Sequence, residues 1–313
     1  MVSSAKGGSR APHILCTGIA VLDEVFRVGE FPIADTKGDA VEFVSVGGGC
    51  AANAAVAVAR LGGRARFAGP LGGPPGKEAI GDRILAGLAR ERVDCAACVR
   101  VKGVPSSISA IVVNARGERT IVNHRDNRLA AALPKNVDKL VAFVDVVLAD
   151  NRFPEFVLPI CVAARERGIP VVLDADKPTR KSDRLFTIAS HVIFSAEGLR
   201  ATAGVNDLSS AIDIMGKRTR SFLAVTNGPN DVLWRDGRIV RSMPVFRINA
   251  VDTLAAGDVF HAGFALALAE GSEALQAMQF AAAAAAVKCT RFGGSAVLPL
   301  RAEVDAFLRR QKR

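Results

Sequence analysis

Apolar and polar positions follow two rhythms along this chain. Residues 14–22 are a short apolar run broken by Gly18 and ending in a turn at Asp23, the pattern of a buried strand. Residues 26–46 are mixed, with Gly29, Pro32 and Gly38, and predict short, partly exposed strands such as 40–46. Gly47-Gly48-Gly49 ends that piece, and 51–61 reads as a small-residue helix closed by Gly62-Gly63. A strand at 65–70 and a helix at 77–92 follow, the helix with Ile80, Ile84, Leu85 and Leu88 on one face. Extended segments at 107–114 and 118–123, split by Ala115-Arg116-Gly117, make a hairpin. From about residue 139 strands alternate with helices: strands at 145–149, 171–174, 192–194 and 222–226, helices at 155–167 and 209–217. Continuous apolar strands joined by helices predict an α/β fold with a mainly parallel sheet covered on both faces. A second hairpin is expected at 231–234 and 239–242, and the remainder is helical. There, 281–286 is an unbroken alanine run inside a helix from about 273 to 288, where small side chains allow close packing. The organisation is one body, residues 13–308, with excursions at about 26–46 and 105–124 placed to form a lid. Residues 1–12 are expected to be a disordered tail and 309–313 a basic one.

Composition narrows the class. The chain has 313 residues, half of them apolar, ample for a sizeable core. It contains no uninterrupted apolar run of about 18 residues and its first ten residues carry no hydrophobic segment, so the expectation is a cytoplasmic protein without a membrane partner. Six scattered cysteines fit reduced thiols; only Cys95 and Cys98 have metal-like spacing, with no second pair. The net charge of +10 is spread among interleaved acids, with no Tyr and one Trp to stack on bases. That favours a small anionic substrate over nucleic acid.

Two stretches carry chemistry. Asp252-Thr253-Leu254-Ala255-Ala256-Gly257-Asp258 puts two carboxylates around a small-residue turn, ahead of an apolar helix closed by Gly271. The unpaired amides of a helix start and the positive end of its dipole attract an anion, and small side chains let a phosphate approach. Asp258 is then either a base beside a bound phosphate or a helix N-cap. The second stretch, Gly47-Gly48-Gly49 followed by Asn53, is either a backbone surface for a hydroxylated ligand or a tight structural turn.

Together these stretches resemble the ribokinase-like, or PfkB, carbohydrate kinases. The resemblance runs from Gly18-Ile19-Ala20-Val21-Leu22-Asp23, through Gly48-Gly49 with Ala52-Asn53 and Ala59-Arg60-Leu61-Gly62, to Asp252–Asp258, that family's most specific signature. It implies a three-layer α/β/α domain with a small β-sheet lid, and transfer of the γ-phosphate of ATP to a sugar hydroxyl. Asp258 would be the base and the amides of Ala255, Ala256 and Gly257 the anion hole. Asp23, Gly48, Gly49, Asn53 and Asp252 would hold sugar hydroxyls. Thr226 and Gly228 match the nucleotide turn, and 285–294, with Ala285, Lys288 and Gly294, would lie along the adenine. Mg²⁺ is implied, as is a homodimer through the lid. Many members use a monovalent cation near the residues after Asp252 and around Gly294. Two departures stand out: Ala255 replaces a glycine, and Ser195-Ala196-Glu197-Gly198 stands for Asn-x-x-Glu, so the acid that organises Mg²⁺ through water, Glu197, is displaced by one position. Asp174 and Asp176 are further strand-end candidates.

Within that family the chain is similar to bacterial sulfofructose kinases, in Val46-Gly47-Gly48-Gly49, Leu148-Ala149-Asp150 with Arg152, Gly117-Glu118-Arg119 leading to Asn123, and Lys288-Cys289-Thr290-Arg291. The resemblance implies that Lys37, Asn123 and Arg152 hold a sulfonate and that the C1 hydroxyl of 6-deoxy-6-sulfofructose is phosphorylated. A sugar phosphate, a neutral ketose or a ribose-like sugar remains the alternative, as does a catalytically weak sugar-binding protein.

Overall fold

The computed structural model describes residues 10–180 and 183–311. In its first half these form β1 (His13–Thr17), β2 (Val21–Arg27), β3 (Glu42–Gly48), α1 (Cys50–Arg60), β4 (Arg64–Ala68), β5 (Pro70–Gly73), α2 (Ala79–Arg90), β6 (Val99–Lys102), β7 (Ser107–Val113), β8 (Arg119–His124), α3 (Val137–Val141), β9 (Val146–Asp150) and α4 (Pro154–Glu166). The second half adds β10 (Val171–Ala175), α5 (Arg184–Ile188), β11 (His191–Ser195), α6 (Ala196–Ala203), α7 (Leu208–Gly216), β12 (Phe222–Asn227), β13 (Asn230–Asp236), β14 (Ile239–Met243), α8 (Ala256–Ala269), α9 (Ala274–Cys289) and α10 (Arg301–Gln311).

An eight-stranded sheet in the order β14-β13-β12-β11-β10-β9-β1-β4 forms the middle layer. The strands from β4 to β12 in that order are parallel, and the β13–β14 hairpin adds antiparallel at the edge. Successive side chains point to opposite faces, so one strand feeds two cores. Val146 and Leu148 of β9 join α1, α8 and α9 on one side; Val147 and Ala149 join α4 and α7 on the other. The alanine run lies in the first of these cores. A side chain at Gly263 of α8 would come within 3.0 Å of the Ala281 backbone of α9, so two helices this close admit only small residues between them.

Several boundaries differ from expectation. The run 14–22 is two strands in two sheets, because the chain turns at Gly18, whose φ of 147° suits glycine. The lid therefore begins at Val21, five residues before the expected 26. It is a four-stranded sheet in the order β3-β2-β7-β8. At the other end, α10 carries Arg309 and Arg310 through to Gln311, so most of the expected basic tail is helix; residues 312–313 lie outside the described residues. Of the expected N-terminal tail, 1–9 lie outside them as well, and Arg10 pairs with Asp145 at 3.0 Å. Among the described residues no helix is long and apolar enough to cross a membrane.

Candidate active site

Parallel strands leave their carboxyl ends open where helices depart in different directions, and ligands of such sheets bind there. Here those ends present Asp150 (β9), Asp174 and Asp176 (β10 and just beyond), Ser195 (β11) and Thr226 (β12). The lid lies over them, enclosing a cleft of about 500 Å³. Lid register explains which residues face inward: Asp23 pairs with Ser109 and Ser109 with Asn123, so the three stand in one row. Ser109 donates to Asn123 at 2.8 Å. Two residues further on, Val25, Ile111 and Ile121 form the next row, and Val25 and Ile111 pack on Leu254 and Phe292. The lid is thus seated by an apolar row and presents a polar one.

The floor is the start of α8. Asp258 is its third residue rather than its cap; the cap position is Ala255, in left-handed backbone at φ 64° and ψ 9°. The Ala256 amide donates to the Thr253 carbonyl at 3.2 Å, whereas the amides of Ala255, Gly257 and Asp258 have no partner among the described residues. Asp258 accepts a 2.7 Å hydrogen bond from Asn53 of α1. Burial pushes its pKa to about 7; the Asn53 bond opposes this, and the nearby Asp176, Asp23 and Asp150 carboxylates add to it. Asp23 is raised to about 6 by burial, against a Ser109 hydrogen bond.

Below Asp258 lies His261, one helical turn on, with Nδ1 2.7 Å from the Gly257 carbonyl and Nε2 3.2 Å from that of Ile193. Burial lowers its pKa, opposed by the Gly257 and Ile193 carbonyls, which favour a protonated ring. Asp174 stands 3.4 Å from Nε2, and burial followed by the Asp176 and Asp258 charges raises its pKa well above the carboxylate range. Cys50, Asp174 and Asp258 bring ligand atoms within 4.8 Å of one another, but burial and the surrounding carboxylates push the Cys50 thiol up, which keeps its sulfur protonated and a poor ligand. Arg152 reaches across the cleft mouth to Asp176, with Nε 3.1 Å from its carboxylate.

Of the residues singled out in the sequence, the cleft brings together Asp23, Gly49, Asn53, Asn123, Arg152, Thr226 and Ala255–Asp258. Others fall elsewhere. Gly48 does not line the cleft: the Asp23 carboxylate fills the space its side chain would need. Asp252 does not line the cleft. It is 4% exposed, and its carboxylate accepts from the amides of Leu254 (2.8 Å), Gly293 (3.2 Å) and Gly294 (3.0 Å) and from Lys288 (2.8 Å). Lys288 is fully buried against Asp252 and does not line the cleft. Lys37 is exposed in the β2–β3 loop, away from the cleft lining, and Glu197 is exposed in the first turn of α6. Ala285 of α9, Gly228 just after β12 and Gly294, bonded to Asp252, do not line the cleft. Sequence reasoning missed Ser109, Arg119, Arg125 and His261, which do line it. The hairpin alternation could have flagged Ser109 and Arg119, which share the inward face with Asn123; Arg125 and His261 left no such mark.

Residues 11–301 match the sequence profile of the pfkB family carbohydrate kinases. The chain belongs to that family. Ribokinase of Bacillus subtilis is 28% identical over 299 residues, covering 95% of this chain and 99% of that protein. Ketohexokinase of Mus musculus is 27% identical over 290 residues, covering 88% and 96%. A crystal structure of an Agrobacterium tumefaciens protein provisionally described as a ribokinase superposes with a TM-score of 0.91 at 35% identity, over 97% of this chain and 100% of the other. This pfkB-family protein is therefore an ATP-dependent sugar kinase of the ribokinase type, with that fold.

Left-handed backbone costs a residue other than glycine about 1–2 kcal/mol, of which glycine's greater freedom in the unfolded chain returns part. Ala255→Gly should therefore stabilise the kinase by about 0.5–1 kcal/mol in urea denaturation. Unchanged or lower stability would show that the turn is not strained at Ala255.

Proposed function

We propose that this kinase phosphorylates the C1 hydroxyl of an anionic ketose, 6-deoxy-6-sulfofructose, using ATP. The observation that carries the reaction is the pairing of Asp258, held by Asn53, with unpartnered amides at the start of α8. A carboxylate with a pKa of about 7 is matched to taking a hydroxyl proton near neutral pH. Phosphoryl transfer asks chiefly for alignment and charge stabilisation, which the Ala255, Gly257 and Asp258 amides supply to the transferring group. The row Asp23, Ser109 and Asn123, with the Asn53 carbonyl, offers the sugar hydroxyls both donors and acceptors.

Substrate charge is read from the arginines. Arg119, Arg125 and Arg152 all border the cleft, and guanidinium suits a sulfonate or phosphate. Arg125 is held over the Phe153 ring, 5.7 Å from its centre. Arg152 and Asn123 remain candidates for the sulfonate, while Lys37 does not line the cleft and is replaced in that role by Arg125. A neutral sugar is the second reading, favoured by the Arg152–Asp176 pair, which already offsets part of the positive charge, and by the ribokinase and ketohexokinase relatives.

ATP would lie with its phosphates running from the Thr226 side toward the start of α8, both of which line the cleft. Asp176 is the half-buried carboxylate on that side, and a hydrated Mg²⁺ would fit it through water better than Glu197, which does not line the cleft. When bound, the ion would offset phosphate charge. Thr226 and Gly228, at the end of β12, and the half-buried Ala285 are the candidates for contacts to the nucleotide. For the lid we propose a homodimer through its outer face, where the Phe26 and Phe43 rings lie tilted at 4.9 Å between centres and Val122 is 67% exposed.

Asp258→Asn should lower kcat by about 10³-fold with ATP affinity by calorimetry little changed. In the wild type kcat/KM should fall as pH drops below about 7, because the protonated carboxyl cannot accept a proton; near wild-type kcat in the variant would remove Asp258 from the chemistry. Arg152→Ala and Arg125→Ala should each cost sulfofructose or fructose 6-phosphate about 10–100-fold in kcat/KM and cost fructose or ribose little. Equal losses on charged and neutral sugars would overturn the anionic substrate. Sedimentation of the wild type should give a dimer that Val122→Glu dissociates, whereas a wild-type monomer would refute the lid interface.

A further inference from the structure

Lys288 lies in the last turn of α9, on the side of the floor away from the cleft. Its side chain has no solvent exposure, and its ammonium donates to the Asp252 main-chain carbonyl at 2.9 Å and to its carboxylate at 2.8 Å. That carboxylate also gathers the amides of Leu254, Gly293 and Gly294. One ion pair therefore ties together the start of the anion loop, the end of α9 and the turn into the 3₁₀ segment Gly294–Val297. Burial works against the Asp252 charge, yet Lys288 and the amides hold its pKa below the usual carboxylate value.

The resemblance to the ribokinase-like kinases implies a free monovalent cation near the residues after Asp252 and around Gly294. The residues of this chain do not suit one. The Asp252 carbonyl and carboxylate, the oxygens such an ion would seek, already receive an ammonium. Asp252 and Lys288 balance in charge, and Arg119 contributes further positive charge nearby, so a second cation would sit buried without a counter-charge. The apolar stem of Lys288, packed in α9, places its charge without drawing on an ion from solvent.

We propose that the Lys288 ammonium is a built-in cation that positions the anion loop, and that this kinase consequently works without a free monovalent cation. The proposal rests on the kinase reading given above. Lys288 is a positioning residue: it touches no substrate and acts through Asp252 on the loop that carries Ala255–Asp258.

The test compares kcat and melting temperature in choline, Na⁺ and K⁺ chlorides at a matched ionic strength of about 0.1 M. Wild type should vary by less than about twofold in kcat, with no K⁺-specific rise in melting temperature. Lys288→Ala opens the space and should lower kcat in choline by about 10–100-fold, with K⁺ or ammonium restoring most of it and raising the melting temperature. Lys288→Met fills the space without the charge and should be impaired and not rescued. Strong activation or stabilisation of the wild type by K⁺ would overturn the proposal. So would a Lys288→Ala variant that keeps full activity in choline or ignores every added cation. If Lys288→Ala does not fold, the wild-type comparison decides alone. Absence of turnover with any sugar would refute the kinase reading, while the melting temperatures would still report on the cation.

Discussion

Two carboxylates that barely meet solvent, Asp150 and Asp252, hold the loops between which this kinase does its work. Asp150, at the end of β9, accepts from the amides of Ile19 (2.8 Å), Ala51 (3.2 Å) and Arg152 (2.9 Å), joining the β1–β2 turn, the start of α1 and the cleft mouth. Asp252 does the same for the anion loop and the turn after α9, with Lys288 supplying the counter-charge. A buried carboxylate is costly unless its lone pairs are satisfied, and satisfying them forces distant backbone segments together. Asp258, by contrast, receives a side-chain bond only from Asn53 among the described residues, and burial raises its pKa to about 7, above the value of about 6 at Asp150, where amides oppose the rise. The same chemical group thus serves as a fastening where amides surround it and as a candidate base where they do not.

The lid follows from strand alternation. The turn at Gly18 sends the chain from the main sheet into the small one, so β1 and β2 are near neighbours in sequence yet belong to different layers. Once β2, β7 and β8 pair in register, every second residue faces the cleft. Asp23, Ser109 and Asn123 arrive as a row from three separate stretches, and Arg119 lies on the same face, in contact with Thr253 of the anion loop. Lid and floor are therefore mechanically and electrostatically joined.

Charge is organised in opposite senses around the cleft. Acids gather at the strand ends, where the charges of Asp176 and Asp150 add to burial in raising the proton affinity of Asp174 and Asp258, and arginines gather at the mouth and lid. An anionic substrate entering past Arg125 and Arg152 would meet the carboxylates only with its hydroxyls. Arg152, bonded to Asp176, is where the two regions touch.

Much of this was legible in the chain alone. The alternation of apolar strands and helices specified an α/β fold, the hairpin at 107–123 was expected nearly as found, and the small-residue stretch ahead of Asp258 marked the floor of the cleft. These are local properties, set by periodicity, turn chemistry and helix-end geometry within a few residues. The tertiary structure alone decided that Asp252 and Lys288 are buried partners set off the cleft, that Asp23 fills the space at Gly48, and that Arg125 rather than Lys37 borders the cleft. It also placed the left-handed turn at Ala255. Each of those outcomes depends on which groups meet across tens or hundreds of residues, and a charged side chain carries the same signature in sequence whether it is buried against a partner or left in water.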